Sequence, residues 1–176
     1  KKAEMDYHKA KTELLESYAY IGSMNRKIEL LKKLVNDTSL SLGDSKRLRK
    51  ELFHALAANA CSAIGAKAGL IRFVELSRLR TDREFAHDPE STFVFRVSNR
   101  DLRDLHEQKT THAFVLSEDQ QNILVVPSDR TTSDMKAYLL LHMDQERIQE
   151  IDPSLLKVFV NQAEMLRQQF VVSQEA

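Results

Sequence analysis

The first 35 residues contain no proline, and they place Leu14, Tyr18, Ile21, Asn25, Ile28 and Val35 at alternating steps of four and three, with Lys32 in the slot between the last two. That spacing is the 3.5-residue period of a coiled-coil seam. The other faces carry Lys, Glu and Arg, which excludes a helix buried on all sides. A helix with one apolar stripe cannot bury it alone, and self-association into a homodimer is the simplest source of a partner. Asn25 on the seam has two readings. It pairs with its symmetry mate and selects two parallel strands, or it faces solvent at a local irregularity. Met24 and Leu31 offer a second, overlapping seam. Gly22 costs about 1 kcal/mol relative to Ala inside a helix, and it serves either a close approach or a bend.

Four Gly and three Pro in 176 residues leave little punctuation, so long regular elements are expected elsewhere too. Residues 36–44 hold Asp37, Thr38, Ser39, Ser41 and Gly43, which break the helix. Asp44 or Ser45 is the expected cap of a second helix over about 46–64, with Leu48, Leu52, Phe53, Leu56, Ala60 and Ile64 as its apolar stripe. Gly65 closes it. Strands follow at 69–76, 92–97, 113–116, 122–126 and 136–142. Between the first two lies a loop over 81–90 with a short strand near Glu84 and Phe85. Ser98 or Asn99 caps a short helix to about Gln108, and Pro153 opens a final helix carrying Leu156, Phe159, Ala163, Leu166 and Phe170. Strands clustered between helices predict an α+β domain with an antiparallel sheet flanked by helices. The expected division is 1–35 as a coiled-coil helix, 36–172 as the domain and 173–176 as a tail.

Lys+Arg and Asp+Glu are both 26, so no bulk positive charge exists to drive phosphate-backbone binding, and nucleic acid is not an expected partner. No apolar run reaches the roughly 20 residues that span a bilayer, so no membrane partner is expected. Lys1-Lys2-Ala3-Glu4 has no apolar signal core behind it. An opening on Lys rather than Met predicts a piece of a longer protein whose flanks hold the output. Cys61 is the only cysteine, which excludes an internal disulfide and a multi-cysteine metal site and fits a reduced, cytoplasmic setting. Among Ala57, Ala60 and Ile64 it reads as a small core residue rather than a redox thiol.

The sequence contains no phosphate loop, no Gly-x-Gly-x-x-Gly, no Gly-x-Ser-x-Gly elbow and no His-Glu-x-x-His. His106 and His112 are six apart, a poor metal spacing, and both read as surface histidines. No catalytic residue and no metal ligand is therefore expected, the cofactor stays unassigned, and the chain is read as not an enzyme.

Four segments carry a resemblance: Ala60-Cys61-Ser62-Ala63-Ile64-Gly65, Ala68-Gly69-Leu70-Ile71-Arg72-Phe73, Ile123-Leu124-Val125-Val126-Pro127 and Ala137-Tyr138-Leu139-Leu140-Leu141. With the closing helix over 155–170, they make residues 35–172 resemble a GAF domain, a sensory module related to the PAS fold. The resemblance implies that the N-terminal helix packs with the C-terminal helix in a parallel dimer and carries a signal to an output domain or protein partner. It also implies a small-molecule pocket beside the third strand and the short helix. Arg96, Arg100 and Arg103 would there hold an anion, and Phe95, Phe114 and Tyr138 would wall the cavity. The expected ligand is small and anionic or aromatic. The competing readings are a solvated basic face with Asp101 and Asp104, and a scaffold domain with a filled pocket. A reductase is a third, and one cysteine cannot supply it.

Overall fold

Val74, Ile71 and Phe73 point to opposite faces of one strand, yet all are buried, which places β1 (Ala68–Glu75) in the middle of a sheet. The structure is a computed structural model that describes residues 2–35, 41–90, 93–131, 133–143 and 153–175. β1 pairs with β2 (Arg80–His87) on one side and with β5 (Met135–His142) on the other. β5 then pairs with β4 (Asn122–Pro127), and β4 with β3 (Ala113–Leu116). The result is an antiparallel five-stranded sheet in the order β2-β1-β5-β4-β3.

One face of the sheet presents Ile71, Phe73, Leu124, Val126, Leu139 and Leu141 to a layer of helices. That layer holds α1 (Lys2–Val35), α2 (Leu42–Ile64) and α4 (Pro153–Glu175). The other face presents Leu70, Val74, Ile123, Val125, Tyr138 and Leu140. It is covered by α3 (Asn99–Glu107) through Leu102 and by the extended segment 93–98 through Phe95 and Val97. The protein is therefore α+β, with helices on both sides of an antiparallel sheet.

α2 begins earlier than expected. Its cap is Ser41, whose hydroxyl accepts from the Asp44 amide at 3.2 Å, and neither Asp44 nor Ser45 is the cap. Ser41 satisfies an orphan donor of the first turn in the ordinary way, with Asp44 adding negative charge there. At the other end Gly65 has φ 68°, the left-handed conformation that glycine takes without strain. Ser98 caps α3 in the same manner as Ser41, leaving Asn99 free to bond the Leu79 carbonyl and Thr81 Oγ1.

Two strand expectations are corrected. Residues 81–90 are not mainly loop: β2 runs from Arg80 to His87 along the edge of the sheet. Only Phe85 of its eight residues is buried, so its composition carries no strand alternation. Conversely, 93–98 is extended but joins no ladder, and the sheet has five strands rather than six. Phe95 and Val97 do alternate inward. Their carbonyls, however, bond a side chain rather than a neighbouring strand. α4 runs through Glu175, so no helix end marks the tail expected at 173–176.

Ile28 and Leu31 are buried against the helix layer, and Asn25 Oδ1 accepts from Asn59 Nδ2 of α2 at 2.7 Å. Asn25 thus has a partner inside its own chain. Met5, Tyr7 and Leu30 stand exposed. The side chains of Leu14, Tyr18, Ile21 and Val35 lie outside the described residues.

Candidate functional site

The face expected to hold a ligand is packed. Tyr138 is fully buried, and its hydroxyl donates to the Leu102 carbonyl at 2.9 Å. Burial pushes its phenol well above the usual range. Phe95 sits in the same cluster. Arg96 and Arg100 point to solvent, and Arg103 makes an ion pair with Glu107 along α3 at 3.7 Å. Phe114 pairs in register with Leu124 and so shares its helix-side face, away from Tyr138, where it is 41% exposed. The structure brings Phe95 and Tyr138 together and leaves Phe114 and the three arginines apart from them.

The arginine that organises this face is Arg72, only 5% exposed on β1. Its guanidinium donates to the Val97 carbonyl at 2.7 Å, to the Phe95 carbonyl at 3.3 Å and to Asn99 Oδ1 at 3.3 Å. Nε closes an ion pair with Glu84 of β2 at 2.8 Å. A buried charge is tolerated only when its donors are satisfied, and here the rigid five-donor fork ties the segment 93–98 to the sheet. The sequence signal was one arginine inside the apolar run Leu70-Ile71-Arg72-Phe73-Val74.

Near the end of α3, Lys136 Nζ donates to His106 Nδ1 at 2.8 Å. Burial and the Lys136 charge hold the imidazole below its ordinary value, with Glu107 opposing, and burial together with Lys157 lowers Lys136, with Asp129 opposing. The unfolded chain therefore takes up the His106 proton at higher pH than the native one. This contribution to stability is complete above pH 6.5, the ordinary histidine value, and is lost as pH falls through the depressed native value. The melting temperature should drop between neutral and mildly acidic pH. His106→Gln should flatten that slope by less than about 1 kcal/mol, since water screens the partly exposed ring. An unchanged slope would remove this pair from the account.

A second, open site lies on the helix side, where α2, α4, β1 and β2 meet around a cleft of about 230 Å³. Its floor is aromatic: Phe53 stacks on Phe85 at 4.7 Å and meets Phe73 edge-on at 5.4 Å and Phe170 at 5.8 Å. Arg49 and Arg167 line the walls. The Arg49 guanidinium lies 4.7 Å from the Phe170 ring centre, and that of Arg167 lies 5.8 Å from the Phe73 ring centre. Lys50 and Arg83 add two further cations, and among the described residues Asp82 is the one carboxylate that lines the cleft. Among the described residues none of these four cations forms an ion pair, and the buried Arg49 Nε has no hydrogen-bond partner. Sequence reading missed this group because its members come from four elements. The one local hint was an arginine and a lysine (Arg49, Lys50) beside the apolar stripe of α2.

Cys61 is buried, and desolvation together with Asp88 pushes its thiol up to about 12, so it is a packed and inert side chain. Among the described residues no group of three His, Cys, Asp or Glu gathers to hold a metal, and no helix is long and apolar enough to cross a membrane. No protein-family model matches the chain, and no curated protein matches it either.

Proposed function

We propose that this chain is a non-catalytic sensory or regulatory module, GAF-like in plan, that pairs as a parallel homodimer through α1 and relays a signal to an output domain or protein partner. The observation that carries the reading is the length of α1 against its anchorage. It has 34 residues, about 50 Å at 1.5 Å per residue. Its described buried side chains, Ile28 and Leu31, sit near its C-terminal end. An isolated helix is marginal in water, and the Leu14, Tyr18 and Ile21 repeat lies N-terminal to Asn25, Ile28 and Leu31 in the sequence. Ile28 and Asn25 serve the fold, so the pairing seam is the part of α1 before them. A reduced cytoplasmic setting fits the lone buried Cys61, and zero net charge argues against nucleic acid as the partner.

Light scattering tests the reading. The intact chain should give twice its mass of 20.3 kDa. A chain lacking residues 1–24 should stay folded, because Ile28 and Leu31 remain, and should run as a monomer. A monodisperse intact monomer at high micromolar concentration would overturn the dimer. The packed face around Tyr138, Phe95 and Leu102 favours a second reading, a scaffold that joins partners without a ligand on that face.

A further inference from the structure

We infer that the cleft between α2, α4 and the β1–β2 edge binds a small organic anion: a carboxylate or phosphate head on a flat apolar body. This goes beyond the dimer reading and does not depend on it. The aromatic floor and the cationic walls make complementary demands on one ligand. Phe53, Phe85 and Phe170 line the cleft and give it an apolar floor for an aromatic or short aliphatic body. Arg49 and Arg167 each have the planar fork that holds a carboxylate or phosphate by paired hydrogen bonds. Both guanidiniums stand over aromatic faces, and no carboxylate of the described chain neutralises them. The buried Arg49 Nε has a donor with no acceptor, and an anion in the cleft supplies one. Among the described residues Asp82 is the lone opposing charge that lines the cleft, so a cationic ligand is disfavoured. A volume of about 230 Å³ suits a single ring with its head group and excludes a dinucleotide. The cleft also joins α2 and α4 to the edge of the sheet, so an occupant would brace those elements together.

Calorimetric titration of the full chain with phenyl phosphate, benzoate, benzyl alcohol and inorganic phosphate tests the assignment. Phenyl phosphate or benzoate should saturate a single site per chain, and which of the two binds tighter identifies the head group. The neutral alcohol and the bare phosphate should each bind at least about tenfold more weakly, since each lacks one half of the recognition. Arg49→Gln combined with Arg167→Gln should weaken the aryl anion about tenfold, whereas Arg96→Gln combined with Arg100→Gln should leave it unchanged. If the first pair compromises folding, as circular dichroism would show, the exposed rim residue Arg83→Gln and the loss of wild-type affinity with added salt give the same reading. No saturable binding of either aryl anion would overturn the inference, as would affinity insensitive both to these arginines and to salt. The dimer proposal would survive that result, because light scattering measures it separately.

Discussion

Arg72→Met should cost about 3–5 kcal/mol of unfolding free energy, measured by urea denaturation. The substitution keeps the length of an apolar stem but removes every donor. The Val97 and Phe95 carbonyls, both reached by buried hydrogen bonds, then lose their partner. Glu84 loses its cation as well, which matters less because its side chain is 43% exposed and water can replace it. Arg72→Lys should recover little, since one ammonium cannot serve two carbonyls, Asn99 and Glu84 from a single point. The damage should be local at first: amide exchange should accelerate in 93–98 and α3 before it does in β5. A cost below about 1 kcal/mol would mean that the extended segment is held by Phe95 and Val97 packing alone.

Gly69→Ala should cost about 2–3 kcal/mol, in the range of overpacked cores. A Cβ at Gly69 would overlap Cys61 Sγ and would stand 3.1 Å from Leu141 Cδ2. Backbone conformation is not the obstacle here; α2 lies too close to β1 for any side chain. Cys61→Ala alone should cost about 1 kcal/mol. In that background the sulfur is gone, the end of Leu141 can shift, and the Gly69→Ala penalty should fall below about 1 kcal/mol. A double-mutant cycle measures the difference. Equal penalties in both backgrounds would mean that the crowding comes from Leu141 or the α2 backbone.

These two positions also show what the sequence could and could not convey. The apolar stripes of α2 and α4 and the runs in β1, β4 and β5 were legible because burial imposes a period on them. The Gly65 cap was legible because a left-handed residue ends a helix there. β2 was largely invisible: an edge strand with one buried side chain needs no apolar alternation, and its pairing is backbone chemistry. Segment 93–98 misled in the opposite sense. Its alternation is real, yet alternation reports which side chains face inward, and it is silent on where the carbonyls bond. Asn25 stood on a seam by spacing alone, and no spacing rule foretells that Asn59, 34 positions away, would take its carbonyl. The Arg49 and Arg167 cleft is a similar case, assembled from four elements that only the fold brings together.

The proposed relay depends on parallel pairing of α1, which site-directed cross-linking can detect. In a Cys61→Ala background, Ile21→Cys puts a thiol at a position of the 3.5-residue repeat, and Ser23→Cys puts one two residues on, off that repeat. Mild oxidation should convert the Ile21→Cys chain largely into a covalent dimer on a non-reducing gel, at dilutions where random collisions are negligible. The Ser23→Cys chain should remain monomeric on that gel. Equal cross-linking at both positions, or none at Ile21→Cys, would contradict a parallel seam through α1.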